Sequence, residues 1–178
     1  MKKAFHLSAA LIGMFATSAS AQPTRKSLDQ LHQRYAQLMV SKDFVAIESF
    51  YNDHVSRDFK WKKANGSIMT FIDMWEGNRQ DMANLAKGSS DGPINFNMKL
   101  KSWKLNGHVA IVEIHTSGNG EWYKDGGWTP VTFQMLVRET WRYENDKWMA
   151  ISFDDVSVDG KFGKPQKRSS WRPKPAKA

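Results

Sequence analysis

Apolar residues recur at helical spacing through the first part of the chain and on alternate positions through the second, and this change of period predicts the architecture. Ser27-Leu28-Asp29-Gln30 reads as a capping box, with Ser27 placed to accept from the backbone N–H of Gln30. Behind it Leu28, Leu31, Tyr35, Leu38 and Met39 form the apolar stripe of a first helix. Asp43 caps a second helix whose apolar side is Phe44, Ile47, Phe50 and Tyr51. A connection with Phe59 and Trp61 follows, and Asn65-Gly66-Ser67 opens a third helix. Its expected stripe is Ile68, Phe71, Ile72, Trp75, Met82 and Leu85, with Gly88 as its stop. From Ile94 the period is two. Ile94, Phe96, Met98 and Leu100 alternate with Asn95, Asn97, Lys99 and Lys101. Turns at Asn106-Gly107, Asp125-Gly126 and Asn145-Asp146 then divide the remainder into strands from His108 to about Tyr123, Trp128 to about Tyr143 and Trp148 to about Val158. Three helices followed by an antiparallel meander make an α+β fold.

Tight turns fix register, because a slip of one residue exchanges the two faces of a strand. A two-residue loop at Asp125-Gly126 sets Thr116 opposite Met135, Ile114 opposite Val137, Val112 opposite Glu139 and Ala110 opposite Trp141, which marks the inner face. A loop at Asn145-Asp146 continues it, with Trp141 facing Ala150, Glu139 facing Ser152 and Val137 facing Asp154. Strict pairing about Asn106-Gly107 sets Lys101 opposite Val112 and turns Leu100 and Met98 outward. A one-residue bulge between Lys101 and Trp103 removes that conflict and bends the sheet.

The helix pair from Leu28 to Tyr51, with Lys42-Asp43 and Phe50-Tyr51-Asn52-Asp53, precedes long hairpins that end in Thr140-Trp141-Arg142-Tyr143-Glu144-Asn145-Asp146-Lys147-Trp148. In this order and spacing, from Ser27 to Val158, the chain resembles the nuclear transport factor 2-like superfamily, in particular its SnoaL-like and ketosteroid-isomerase-like bacterial branches. The resemblance implies a cystatin-like roll: a cone-shaped, strongly bent antiparallel sheet covered by three N-terminal helices, with a pocket inside and frequent homodimers through the outer sheet face. It implies no single activity, since isomerases, cyclases, hydratases and binding proteins share the fold.

Composition divides the chain into three parts. Met1-Lys2-Lys3, an apolar run from Ala4 to Ala16 and small residues at Ala19 and Ala21 have the form of a secretory signal cleaved after Ala21. The expected localisation is therefore periplasmic or secreted. Residues 22–160 form the expected domain, and 161–178 a disordered basic tail. The formal charge of +8 lies in that tail: the body keeps 17 of the 26 basic residues against all 18 acidic ones. No specific nucleic-acid binding is expected of a near-neutral body, and the tail offers at most a weak contact with anionic surfaces. Without cysteine, no disulfide supports the fold.

Candidate chemistry centres on Glu139 and Asp154. The register above points both carboxylates inward on adjacent strands, with diagonal partners about 7–8 Å apart. Burial and mutual repulsion raise carboxyl pKa values, which would let one act as an acid while the other acts as a base. Trp75, Phe71, Val112, Ile114, Met135, Val137, Trp141 and Ser152 are the residues expected to line the pocket, while Trp61 and Met74 read as core or pocket wall. Glu113 and His115 belong to the outer face, and Trp122, Tyr123 and Trp128 flank a turn at the pocket mouth. The histidines have no metal-ligand spacing, so no metal and no cofactor are expected. Three readings follow: a domain that binds a small apolar molecule, a cofactor-free isomerase, cyclase or hydratase that uses Asp154 and Glu139, and an interaction domain with a basic docking tail.

Overall fold

The computed structural model describes residues 22–86, 90–124 and 127–164, with side chains at 22–84, 94–121 and 128–164. The leader, the tail from residue 165, Gly88, the Asp125-Gly126 turn and the side chains of Leu85, Trp122 and Tyr123 lie outside the described residues. The elements are α1 (Arg25–Ser41), α2 (Phe44–His54), β1 (Val55–Lys62), β2 (Ile68–Thr70), α3 (Phe71–Ala86), β3 (Ser90–Asn106), β4 (Val109–Lys124), β5 (Gly127–Glu144) and β6 (Lys147–Phe162). They form one six-stranded sheet in the order β2-β1-β6-β5-β4-β3.

α1 begins earlier than its sequence implies. Thr24 is the N-cap and accepts from Ser27 N at 3.1 Å, while Ser27 Oγ returns to the Thr24 backbone N–H. Ser27 is thus the third residue of the box, and its hydroxyl also accepts from Trp148 Nε1 at 2.9 Å, which ties the helix start to β6. Asp43 caps α2 as expected, accepting from Ala46 N at 3.0 Å. The third helix starts later than expected. Ile68 belongs to β2, and Thr70 and Asp73 cap α3 reciprocally. Ile72 and Met82, expected on its buried stripe, are exposed, because α3 packs mainly through Phe71, Met74, Trp75 and Asn78.

Phe59 and Trp61 lie in β1, which runs parallel to β6, so the sheet is mixed and larger than the expected meander. Parallel pairing leaves no local turn signal and needs a long crossover, here the whole β2–β5 segment. The β4–β5 register is the expected one throughout: Thr116–Met135, Ile114–Val137, Val112–Glu139 and Ala110–Trp141. The bulge in β3 is also present, with Lys101 as the extra residue between Leu100–Ile114 and Ser102–Glu113. The turn before β4 sits one residue later than Asn106-Gly107, since Asn106 pairs with Val109 and the loop is Gly107-His108. Asn145 and Asp146, at φ 50° and 59°, give the left-handed pair that a two-residue hairpin loop requires.

The β5–β6 register departs from expectation at one residue. Trp141 faces Ala150, but Thr140 faces Ser152, so Ile151 is an extra residue in β6. Phe153 therefore lies opposite Glu139, and Asp154 lies opposite Arg138. Val137 accordingly faces Asp155, a second irregularity with Val156 as the extra residue sets Ser157 opposite Leu136, and β6 continues to Phe162, past the expected end at Val158. The narrow end of the roll is filled by α1. Leu28, Ala36, Ala110, Val112, Ile114, Trp141 and Ala150 form its solid core.

Candidate functional site

Where α1 ends, the sheet and the helices separate and leave an open cleft of about 340 Å³. Tyr35, Met39 and Lys42 enter it from the end of α1, and Phe44, Ile47 and Tyr51 from α2. Met74, Gly77, Asn78 and Asp81 form the α3 wall. Trp61 and Lys63 close the side next to Met69, and Phe96, Val131 and Phe133 form the sheet floor. The lining is mostly apolar and aromatic, with its polar groups gathered at few points, the usual character of a small-molecule site.

Gly118 gives the floor its shape. A side chain there would meet Asn95 O at 2.5 Å and the Phe133 ring at 2.7 Å, so only glycine lets Phe133 lie flat across β4. The Phe133 and Phe96 rings stand 5.9 Å apart, and Phe96 meets Tyr35 edge-on at 6.1 Å. The Tyr35 and Tyr51 hydroxyls join at 3.0 Å. Burial, together with the partner phenol, raises the Tyr35 pKa well above its ordinary value, so Tyr35 remains protonated at neutral pH. Asp155 fastens the β1 wall, accepting from Trp61 Nε1 at 2.6 Å and Ala64 N at 3.2 Å. Lys63 Nζ lies over the Trp61 ring at 3.0 Å, and burial lowers its pKa against the pull of Asp155.

The two carboxylates singled out in the sequence do not converge. Glu139 is inward, as expected, but it is 2% exposed and sealed under α1. Its Oε2 accepts from Trp141 Nε1 at 2.7 Å and meets His32 Nε2 at 2.7 Å, and His32 Nδ1 donates to Leu28 O at 2.9 Å. Burial lowers the His32 pKa, but the Glu139 charge and hydrogen bond outweigh it and the net shift is upward. This favours an imidazolium–carboxylate pair inside the core. The Ile151 bulge turns Asp154 to the opposite face, beside Arg138, and Ser152 with it, opposite Thr140.

The residues expected to line the pocket lie elsewhere, some in the core with α1, two on α3 beneath arginines and Ser152 on the opposite sheet face. Val112, Ile114 and Trp141 are in the core, Val137 is buried, and Met135 is half-buried on the inner face. Phe71 is buried beneath the guanidinium of Arg57, and half-buried Trp75 lies beneath Arg79. None of these borders the cleft, whereas Trp61 and Met74 do. Glu113 pairs with Arg138 on the outer face at 3.1 Å, and Trp128 is buried. Tyr35 and Tyr51 stood in helix stripes and Phe96 on a dry strand face, where periodicity alone reads as core. Asp81 had no sequence signal. Among the described residues, no three His, Asp or Glu side chains gather as a metal site would require, and no helix is long and apolar enough to cross a membrane.

A bent sheet closed by three helices, with a cleft at its open end, defines an α+β roll. This is the nuclear transport factor 2-like, or cystatin-like, fold. A conserved protein from Planctomyces limnophilus superposes with a TM-score of 0.59 at 9% identity, covering 76% of this chain and 96% of its own. An NTF2-like protein of unknown function in nutrient uptake from Rhodospirillum rubrum gives 0.53 at 14% identity, covering 71% of this chain and 93% of its own. An NTF2-like protein from Cytophaga hutchinsonii gives 0.52 at 10% identity, with coverages of 76% and 99%. At such identities the likeness concerns the fold. No family model and no curated protein matches the sequence.

Proposed function

We propose that this chain is an exported binding domain that holds a small apolar molecule in the cleft between α2, α3 and the sheet floor. The observation that carries the reading is the cleft itself. Its volume of about 340 Å³ falls within the roughly 300–1,000 Å³ range of small-molecule sites, and its walls are aromatic and aliphatic. The carboxylates that motivated a proton-transfer reading give it no support, since Glu139 is committed to His32 and Trp141 and Asp154 lies on the far face.

The test is thermal unfolding of the full chain with small apolar molecules such as octanol and naphthol. A ligand at about 100 times its Kd stabilises the folded state by roughly 2.7 kcal/mol, enough to raise the midpoint by several degrees. Gly77 lines the cleft and a Cβ there meets nothing within 4 Å, so Gly77→Phe introduces a ring at the cleft wall with no clash at its first carbon. The shift should vanish in that variant; a shift of equal size in both proteins excludes the cleft as the binding site.

A further inference from the structure

One end of the cleft carries polar groups that the chain does not satisfy. Tyr35 and Tyr51 share a single hydrogen bond, so one of their two O–H protons has no acceptor among the described residues. Asn78, 6% exposed, donates Nδ2 to Phe44 O at 3.3 Å, which leaves its amide oxygen available. Asp81 lines the same cavity and, among the described residues, forms no hydrogen bond or ion pair.

The Asn78 amide oxygen, the Asp81 carboxylate and the spare lone pairs of the phenol pair are acceptors set against one spare phenol proton, and the rings around them are electron-rich. Tyr35 packs at 6.1 Å from both Tyr51 and Phe96. The faces of such rings and an uncompensated carboxylate attract the same kind of group, a cation. The lysines of the cleft do not fill that role. Lys63 is stacked on Trp61 near Asp155, and neither Lys63 nor Lys42 forms an ion pair with Asp81. Asp81 keeps access to solvent at the cleft rim, and the partial cover it has there raises its pKa. Burial is the main cause that raises both tyrosines; the Tyr51 phenol and the Glu139 charge come next for Tyr35, and the Asp81 charge adds to both.

We propose that the ligand of this cleft is an apolar amine. Its hydrocarbon body lies along Phe44, Ile47 and Met74, and its ammonium faces the Tyr35 and Tyr51 rings and donates to Asp81 and the Asn78 amide oxygen. The inference rests on the reading of the cleft as a binding site and adds the chemistry of the head group.

The two can be separated with three probes of equal tail: octylammonium, octanol and octanoate. Their affinities for the full chain are measured by titration calorimetry in wild type, Asp81→Asn and Gly77→Phe, with circular dichroism to confirm folding. Octylammonium should bind at least tenfold more tightly than either other probe. Asp81→Asn should remove that preference and leave octanol unchanged, and Gly77→Phe should abolish all three. Octanol or octanoate binding as tightly as octylammonium, with Gly77→Phe still blocking them, overturns the amine and leaves the cleft. Binding that persists in Gly77→Phe, or no binding of any probe, overturns both. If Gly77→Phe does not fold, Met74→Trp serves as the plug, with the same outcomes.

Discussion

His32 and Glu139, 107 residues apart, meet at 2.7 Å inside the core with 3% and 2% of their surfaces exposed. The pair joins α1 to the inner face of β5. Because Nδ1 is bound to the Leu28 carbonyl, Nε2 is the ring nitrogen left to address the carboxylate. A buried pair of this kind is costly to break from one side, since the remaining charge has no water to turn to.

Glu139→Gln should therefore lower stability by about 3–5 kcal/mol, measured by urea denaturation at neutral pH. The pH dependence gives a second reading. The folded His32 pKa lies above its ordinary value of about 6.5, so the contribution of the pair is complete below that pH and declines as pH rises through the folded value. In Glu139→Gln the dominant remaining influence is burial, which lowers the His32 pKa. Stability should then rise with pH across the same window. An unchanged slope in the variant would exclude the ion pair.

How much of this arrangement the sequence disclosed depends on whether the signal was local. The β4–β5 register and the Lys101 bulge follow from turn chemistry and alternation, both readable over a few residues. The Ile151 bulge does not. Ala150-Ile151-Ser152-Phe153 alternates acceptably in either phase, and the choice is made by Phe153 packing on Phe59, Trp61 and Trp141, residues distant in the chain. That one residue moved Asp154 and Ser152 out of the candidate site. The His32–Glu139 pair left a trace in the sequence, as one histidine in an apolar helix stripe and one glutamate on an apolar strand face. Only the docking of α1 onto β5 shows that they answer each other. The cleft was displaced for the same reason: a stripe reports that a residue is covered, but what covers it depends on how far along the sheet the helix reaches.

Asp155, passed over beside its neighbour Asp154, holds the β1 side of the cleft through Trp61 and the Ala64 amide. Asp155→Ala should cost about 1.5–3 kcal/mol, the range for a hydrogen bond to a charged group. The loss should be local as well as global. Amide exchange over residues 60–70 should accelerate more than over β4 and β5, because among the described residues β2 is an edge strand paired with β1 alone. Uniform acceleration across the sheet would show that Asp155 does not anchor this wall.

Gly118 tests whether the cleft floor is set by packing. The nearest obstacle to a methyl group at this position is the backbone oxygen of Asn95, which moves only if β3 and β4 part, and the next is the Phe133 ring. Overpacking of this kind costs about 1–3 kcal/mol, so Gly118→Ala should fall in that range by denaturant unfolding. Gly160 has open space at the same position, and Gly160→Ala is expected to remain within about 0.5 kcal/mol of wild type. Phe133 is the softer of the two obstacles, and its displacement reshapes the floor beside Phe96. Gly118→Ala should therefore weaken binding of apolar probes by more than its loss of stability alone explains, measured well below its unfolding midpoint. Equal affinity in the two proteins would mean that β3 yields instead and the Phe133 ring keeps its place.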